Sequence, residues 1–285
     1  NLTFVSSAQA AGVFVDSFDI SNEDTTPQSL VFNPDGTKMF VVGRAGKDIN
    51  EYTLSTGFDV STASFVDSFD VRNEETQPKG LAFNNDGTKM FVVGYTDDEV
   101  LEYNLSPGFD VSTATFIDGF SVRSEDLIPS GLAFNNDGTK MFVVGQQDDD
   151  VNEYTLSTGF DVSTASFVDA FDVSNEELSP LDLKFNHNGT RMFVTGYSGK
   201  DVNEYTLSTG FDVSTASYAG DDERFDFSSQ ETKPGELVFN NDGTKMFLTG
   251  NGGDDVNEYN LSTAYDVSTA SFVDSFLVRG EESDP

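Results

Sequence analysis

One sequence motif recurs five times along this chain, and its spacing constrains the fold more than any other feature. The segment Phe-Asn-x-Asp-Gly-Thr-Lys-Met-Phe, with small changes, begins at Phe32, Phe83, Phe134, Phe185 and Phe239. A period of about 50 residues indicates a repeat architecture, in which each unit packs against its neighbours. The length of 285 residues would accommodate two ordinary domains, but a periodic chain is better interpreted as one domain of stacked units spanning 1–285.

Each unit contains short segments with the alternation typical of β-strands, separated by turn residues. The third unit illustrates the pattern with four predicted strands: Gly131–Phe134, Lys140–Val144, Val151–Leu156 and Phe167–Val173. An Asn-Asn-Asp-Gly turn joins the first two strands, with glycine where a positive φ is favoured. Asp161 precedes a short polar run between the third and fourth strands, which favours a capped turn.

Units of four strands repeated around an axis are typical of a β-propeller. We therefore predict an all-β fold, a five-bladed β-propeller of four-stranded antiparallel blades. The predicted repeats are approximately 21–71, 72–122, 123–173, 174–227 and 228–278. The outer-strand motif Phe-Val-Asp-Ser-Phe occurs in six versions, one more than the number of repeats. An extra outer strand is therefore predicted at 14–20. Either the N-terminal or the C-terminal copy of this strand closes the ring.

The repeats resemble those of the YVTN-type β-propellers, in which a proline precedes the inner strand and an Asp-Gly turn leads into an aromatic-rich second strand. The motif Leu-Ser-Thr-x-x-Asp-Val-Ser-Thr-Ala-Ser is also similar to repeats in uncharacterised proteins of marine bacteria and phages. The resemblance covers roughly residues 14–285. It implies a propeller fold but no single activity, because propellers support hydrolases, lectins, scaffolds and adhesins.

The charge balance excludes several classes of partner. Fifty acidic residues against fifteen basic ones give a formal net charge of -35, which argues against nucleic acid and anionic lipid. No segment is apolar for long enough to predict membrane insertion. The expected partners are another copy of the chain or another surface protein, with carbohydrate as a further candidate. The 27 Phe and 9 Tyr residues predict a folded core rather than disorder.

Acidic loops on one face make calcium the candidate cofactor, because Ca²⁺ prefers six to eight oxygen ligands in flexible geometry. The candidate ligands are Asp97, Asp98, Asp148, Asp149, Asp150, Asp254 and Asp255. No loop matches a known calcium-binding motif, and solvated acidic faces are common in proteins without a metal. Calcium and simple solvation therefore stay open as alternatives.

A cation in the second strand and a glutamate in the third recur in every unit. The pairs are Lys38 with Glu51, Lys89 with Glu102, Lys140 with Glu153, Arg191 with Glu204, and Lys245 with Glu258. Counting outward from the connecting hairpin places the two members diagonally on one face of the sheet. We predict an ion pair within each blade rather than five catalytic sites.

The position two residues after the inner-strand proline differs among the repeats. It reads Ser29, Gly80, Gly131, Asp182 and Glu236. Two neighbouring blades therefore present carboxylates toward the axis, which is the arrangement that a glycoside hydrolase uses for acid and base catalysis. Asp182 and Glu236 are the best asymmetric catalytic candidates, although Lys184 is placed to neutralise Asp182.

Near-identity among the blades favours a function that uses all of them alike. The first expectation is accordingly a non-enzymatic structural or adhesive propeller, extracellular or on a cell or virion surface, which polymerises through the spare terminal strand or through cation bridges. The alternatives are a lectin-like carbohydrate-binding module and a carboxylate-dependent glycoside hydrolase.

Overall fold

The computed structural model describes residues 23–24, 26–58, 62–250 and 255–277, with the side chains of 255–256, 258 and 273–277 outside the description. These residues form five antiparallel sheets, each built from consecutive strands of one repeat. The fold is a five-bladed β-propeller, which confirms the prediction from the repeats.

The strands follow the same order in every blade, from the axis outward. Blade 1 contains β1 (Pro27–Phe32), β2 (Lys38–Gly43), β3 (Asp48–Leu54) and β4 (Ala63–Asp70). Blade 2 contains β5 (Pro78–Phe83), β6 (Lys89–Gly94), β7 (Glu99–Asn104) and β8 (Thr115–Ser121). Blade 3 contains β9 (Pro129–Phe134), β10 (Lys140–Gly145), β11 (Asp150–Leu156) and β12 (Ala165–Asp172).

Blades 4 and 5 follow the same plan, with one interruption. Blade 4 contains β13 (Pro180–Phe185), β14 (Arg191–Gly196), β15 (Asp201–Leu207), β16 (Ala216–Tyr218) and β17 (Phe225–Asp226). Blade 5 contains β18 (Pro234–Phe239), β19 (Lys245–Gly250), β20 (Asp255–Leu261) and β21 (Ala270–Leu277). The three extra residues of the fourth period split the outer strand of blade 4 into β16 and β17, both of which pair with β15.

Short 3₁₀ turns connect third and fourth strands or interrupt the outer strand. They span Val111–Thr113, Val162–Thr164, Val213–Thr215, Asp221–Glu223 and Val267–Thr269. Asp161 precedes one of them and accepts a hydrogen bond from Ser163 Oγ at 2.6 Å, but its side chain makes no capping bond to the backbone of the turn. The equivalent Asp110 does cap its turn, by accepting from the amide of Ser112 at 3.2 Å. Within the described residues, no helix has the length and apolarity needed to cross a lipid bilayer.

The ring is closed by contact between the inner strands β1 and β18. Of the two outer-strand copies considered from the sequence, the C-terminal one, β21, supplies the outer strand of blade 5. The N-terminal copy at 14–20 lies outside the described residues. Each described sheet is thus completed by strands of its own repeat.

Glycine in the Asp-Gly turn serves two purposes. Gly138 has φ of +70°, and a Cβ at this position would overlap the ring of Phe160. Phe160 itself has φ of +57°, and its amide donates to the carbonyl of Gly138 at 3.0 Å. The turn between the first two strands is therefore locked to the loop that follows the third strand.

The hydrophobic core lies between adjacent blades. Phe142 and Val144 of blade 3, for example, pack with Leu183, Met192 and Tyr205 of blade 4, and all five are buried. Burial of these apolar faces is the main favourable contribution to stability. Packing of these apolar faces against the neighbouring blades places the first strand of every blade at the axis.

The recurring cation–glutamate pair also joins blades. Lys89 Nζ lies 2.6 Å from Glu102 Oε1 and donates to the carbonyl of Phe160 in the next blade at 2.6 Å. Glu102 Oε2 accepts from the amide of Val162 at 3.0 Å. Equivalent pairs occur in the other described cases: Lys38–Glu51, Lys140–Glu153 and Arg191–Glu204. The side chain of Glu258 lies outside the description.

Candidate functional site

The axis of the ring contains a cavity of about 250 Å³ that opens at the starts of the inner strands. We call it the entrance cavity. Its walls are formed by inner-strand residues of all five blades, including Ser29, Gly80, Ser130, Asp182 and Glu236. Four of the five positions predicted to face the axis line this cavity; in blade 3 the lining residues are Ser130 and Leu132 rather than the predicted Gly131.

The two candidate carboxylates share one ammonium group. Lys184 Nζ lies 3.0 Å from Asp182 Oδ1 and 3.0 Å from Glu236 Oε1. Asp182 is 5% exposed and Glu236 is 4% exposed. The sequence placed Lys184 near Asp182, and the structure extends its pairing to Glu236 in the next blade.

Backbone amides of neighbouring inner strands hold the remaining oxygens. Asp182 Oδ2 accepts from the amide of Leu237 at 3.0 Å, and Glu236 Oε2 accepts from the amide of Leu30. Both amides lie on strand edges that face the axis, where the sheet provides no ladder partner. The carboxylates therefore connect blade 4 to blade 5 and blade 5 to blade 1.

Burial dominates the electrostatics of this group. Removal from water raises the pKa of Glu236 to about 7, although Lys184 and the Leu30 amide oppose the shift. Burial alone would lower the pKa of Lys184, but its pairing with Asp182 and Glu236 outweighs that effect and raises it. Lys184 therefore stays charged at neutral pH, and the pKa of Glu236 lies above its usual range.

A second charged group lines the entrance cavity from blade 2. Lys79 Nζ donates to Gln28 Oε1 at 2.7 Å and lies 5.3 Å from the centre of the Tyr95 ring. Burial lowers the pKa of Lys79 to about 8, with a further contribution from Arg44. The cavity thus combines carboxylates from blades 4 and 5 with an ammonium group from blade 2.

The opposite end of the axis has two wider openings, with volumes of about 340 and 330 Å³. Both are lined by Lys184 together with aromatic and asparagine side chains of the Asp-Gly turns. Glu236 lines the larger opening as well as the entrance cavity. The Asp182–Lys184–Glu236 group therefore lies between the two ends of the axis.

The predicted calcium ligands do not converge within the described part of the chain. Asp98 is buried and pairs with Arg123 Nη1 at 2.7 Å, whereas Asp97 and Asp148 are exposed. Burial and nearby carboxylates raise the pKa values of Asp149 and Asp150. Asp254 and the side chain of Asp255 lie outside the description. Calcium binding at these residues stays a prediction.

Part of the acidic face is structural. Glu177 is 1% exposed and accepts from the amides of Ser179, Ser198 and Gly199 at 2.8–2.9 Å. Asp126 occupies the equivalent position in blade 3 and accepts from the amide of Ile128 at 2.5 Å. These carboxylates stabilise the loops by accepting hydrogen bonds from backbone N–H groups. The number of acidic residues in the sequence did not indicate this role.

Among the described residues, one group of three carboxylates lies close enough to share a metal ion. It comprises Glu204, Glu223 and Asp266, with ligand atoms within 4.8 Å of one another. Glu204 is already paired with Arg191 at 2.7 Å. This group differs from the predicted set and has a counter-ion of its own.

The sequence analysis identified Asp182, Glu236 and Lys184 but missed Lys79. The signal was available one position earlier, because the residue directly after the inner-strand proline also varies. It reads Gln28, Lys79, Ser130, Leu181 and Gly235. A lone lysine at an axis-facing position would have marked blade 2 as the cationic wall of the cavity.

Comparison with known proteins gives a consistent picture of the fold. No family model matches the chain, and no curated protein matches it by sequence. Solved structures do match. A periplasmic gluconolactonase of Pseudomonas aeruginosa is similar with a TM-score of 0.55 and 17% identity, over 90% of this chain and 73% of that protein.

Two proposed 6-phosphogluconolactonases from Bacteroides give comparable matches. The Bacteroides fragilis protein has a TM-score of 0.54 and 14% identity, over 90% of this chain and 72% of its own. The Bacteroides uniformis protein has a TM-score of 0.54 and 12% identity, over 87% of this chain and 70% of its own. Identities this low establish the propeller fold alone.

The comparison nevertheless corrects one expectation. The near-identical blades suggested a non-enzymatic structural or adhesive protein, but three of the similar structures are named as lactonases, so near-identity of the blades does not support that expectation. The physical reason for the error is that blade similarity was judged over the whole repeat. The asymmetry is confined to a few axis-facing residues, including Lys79, Asp182, Lys184 and Glu236.

Proposed function

We propose that this propeller is a hydrolase that opens the lactone ring of a sugar acid in the entrance cavity. The observation that carries the proposal is Glu236, a buried carboxyl group on the wall of an axial cavity with a pKa near 7. A general base is most effective when its pKa lies near the working pH. The lactonase names of similar propellers support the choice of reaction.

Glu236 acts in this proposal as the general base. Its ionised carboxylate takes a proton from water while the water oxygen bonds to the lactone carbonyl carbon. The tetrahedral intermediate then collapses with cleavage of the ring C–O bond, and the protonated Glu236 returns the proton to the departing ring oxygen. The product is the open-chain hydroxy acid, and one water is consumed.

Lys184 and Asp182 are positioning residues for this base. Lys184 bridges both carboxylates at 3.0 Å, and the Leu30 amide fixes the second Glu236 oxygen. A base held in one orientation loses less entropy in reaching the transition state. The positive charge of Lys184 also limits how far burial raises the Glu236 pKa.

Membership of the YVTN-type repeat family is a proposal that rests on the sequence of the repeats. A relation to marine bacterial or phage proteins rests on the same sequence and is a proposal too. Export from the cell is likewise a proposal. It is supported by the periplasmic location in the name of one similar lactonase and by an acidic composition suited to saline surroundings.

The test is hydrolysis of glucono-δ-lactone by the purified protein, measured by proton release above the spontaneous rate. Glu236→Gln keeps the shape of the side chain but removes the base, and should reduce kcat/KM about 100-fold or more. Asp182→Asn should reduce it less, because that residue acts through Lys184.

Glu153→Gln is the matched control, because Glu153 is a buried, lysine-paired glutamate outside the cavity. This variant should retain the wild-type rate at temperatures where it is folded. Absence of hydrolysis by the wild-type protein across neutral aldonolactones, or an unaltered rate in Glu236→Gln, would overturn the proposed function.

A further inference from the structure

Lys79 differs from the lysines of the blades that pair with carboxylates. Lys184 lies within 3.0 Å of two carboxylates, and the blade lysines Lys38, Lys89 and Lys140 each lie 2.6 Å from a glutamate. None of the ion pairs in the described part of the chain includes Lys79. Its direct contacts are the uncharged Gln28 amide oxygen and the face of Tyr95.

Other described cations, among them Lys47 and Lys200, also have no ion pair, but Lys79 lies on the wall of the entrance cavity. The chain has 50 acidic residues and 15 basic ones, so surface carboxylates are abundant. Burying an ammonium group without a counter-charge costs free energy, and burial accordingly lowers the pKa of Lys79 to about 8. The charge of a second cation, Arg44, lowers the pKa of Lys79 further.

The carboxylates of the same cavity are committed elsewhere. Asp182 and Glu236 are bonded to Lys184 and to the amides of Leu237 and Leu30. Blades 4 and 5 are the two blades that do not adjoin blade 2 in the ring, so Lys79 lies across the axis from both. The cavity therefore has one wall where two carboxylates share a single ammonium group, and an opposite wall where the Lys79 ammonium has no ion-pair partner among the described residues.

We propose that Lys79 and Gln28 form a subsite for an anionic group of the ligand, a carboxylate or a phosphate ester, where blades 1 and 2 meet at the entrance cavity. The Lys79 ammonium supplies the charge. The Gln28 amide oxygen holds that ammonium at the cavity wall, while the Gln28 NH₂ group donates to the carbonyls of Thr26 and Pro27. The subsite deepens the proposed function, because it rests on a sugar-acid ligand and orients that ligand with its neutral ring toward Glu236.

Calorimetric titration tests the subsite without any turnover. Three open-chain probes isolate the contributions: gluconate carries only a carboxylate, glucitol 6-phosphate carries only a phosphate ester, and glucitol carries neither. At pH 7, at least one anionic probe should bind about tenfold more tightly than glucitol, as expected for a charge-assisted hydrogen bond. The probe with the larger preference identifies the anionic group.

Variants locate the effect. Lys79→Gln should abolish the preference for the anionic probe, whereas Lys79→Arg should retain most of it. Lys233→Gln removes the same charge from an exposed lysine on the rim of the same cavity and should change the preference less than twofold. Thermal unfolding of each variant confirms that the comparison is made on folded protein.

Equal binding of glucitol and both anions, or equal losses in Lys79→Gln and Lys233→Gln, would overturn the subsite. The result is separable from the hydrolase test. Anion binding at Lys79 without lactone hydrolysis would retain the subsite and reject the proposed function, and hydrolysis with no anion preference would do the reverse.

Discussion

At the residue scale, this protein uses buried carboxylates for two different tasks. Asp182 and Glu236 accept from inner-strand amides at the axis, and Asp126 and Glu177 accept from loop amides on the acidic face. The sequence revealed the acidic residues and their face, because strand alternation is regular. It did not reveal which of these carboxylates are buried against backbone amides. That depends on which amides lack a hydrogen-bond partner in the folded ring.

Asp126 gives a stability prediction at this scale. Burial raises its pKa to about 6, with Asp148 and Asp98 adding to the shift, while the Ile128 amide opposes it. The folded protein therefore holds this proton more tightly than the unfolded chain. The associated stability is fully present below about pH 4 and is lost as pH rises through about 6.

Asp126→Asn should remove this pH-dependent term, because the amide is neutral throughout and its oxygen can still accept from Ile128. The variant should melt at a higher temperature than the wild type at pH 7.5, and the difference should shrink at pH 4.5. Melting curves at the two pH values provide the check. A variant that is equally destabilised at both pH values would show that the second carboxylate oxygen is structurally required.

At the element scale, the ion pair of each blade is a link between blades. The sequence predicted the diagonal pairing within a sheet from strand register alone, and Lys89 with Glu102 confirms it. The contacts of this pair with Phe160 and Val162 could not be predicted. Register counting describes one sheet, whereas these contacts depend on how the next blade is rotated against it.

Breaking one of these links should be costly. Glu102 is 2% exposed, so Glu102→Gln leaves Lys89 without its counter-charge at a largely buried position. We expect a loss of about 2–4 kcal/mol in the free energy of unfolding, measured by urea titration.

The matched control is Asp70→Asn, which removes the carboxylate of an ion pair with Arg72 whose side chains are 58% and 50% exposed. Its loss should be under about 1 kcal/mol. Similar losses in the two variants would mean that the inter-blade contacts of Glu102 contribute little.

At the scale of the whole molecule, the repeat predicted the number of blades, the strand order and the position of the axis. It could not predict the cavity chemistry with equal success. The residues that the five near-identical repeats share determine the ring. An active site depends instead on the few residues that differ between the repeats. Lys79 lies directly after the inner-strand proline, whereas the predicted candidates lie one position later; both positions vary among the repeats and both contribute to the cavity.

The net charge of -35 makes a prediction for the ring as a unit. Self-repulsion among exposed carboxylates destabilises the compact state, and salt screens it with a Debye length of about 3 Å at 1 M. The melting temperature should therefore rise between low salt and 1 M NaCl. Buried pairs such as Lys89–Glu102 are screened less. A falling melting temperature would indicate that surface ion pairing, rather than repulsion, dominates.

The central claim is that Glu236 is the base of a lactone hydrolase, and the pH dependence of kcat/KM for glucono-δ-lactone tests it most directly. The base must be ionised to accept a proton, and its pKa is raised to about 7. The wild-type value, corrected for spontaneous hydrolysis, should therefore rise with pH from about 5.5, reach half its maximum near pH 7 and level off above about 8. Glu236→Gln should lose both the activity and this rise. A wild-type rate equal to the spontaneous one, or the same pH profile in Glu236→Gln, would contradict the account.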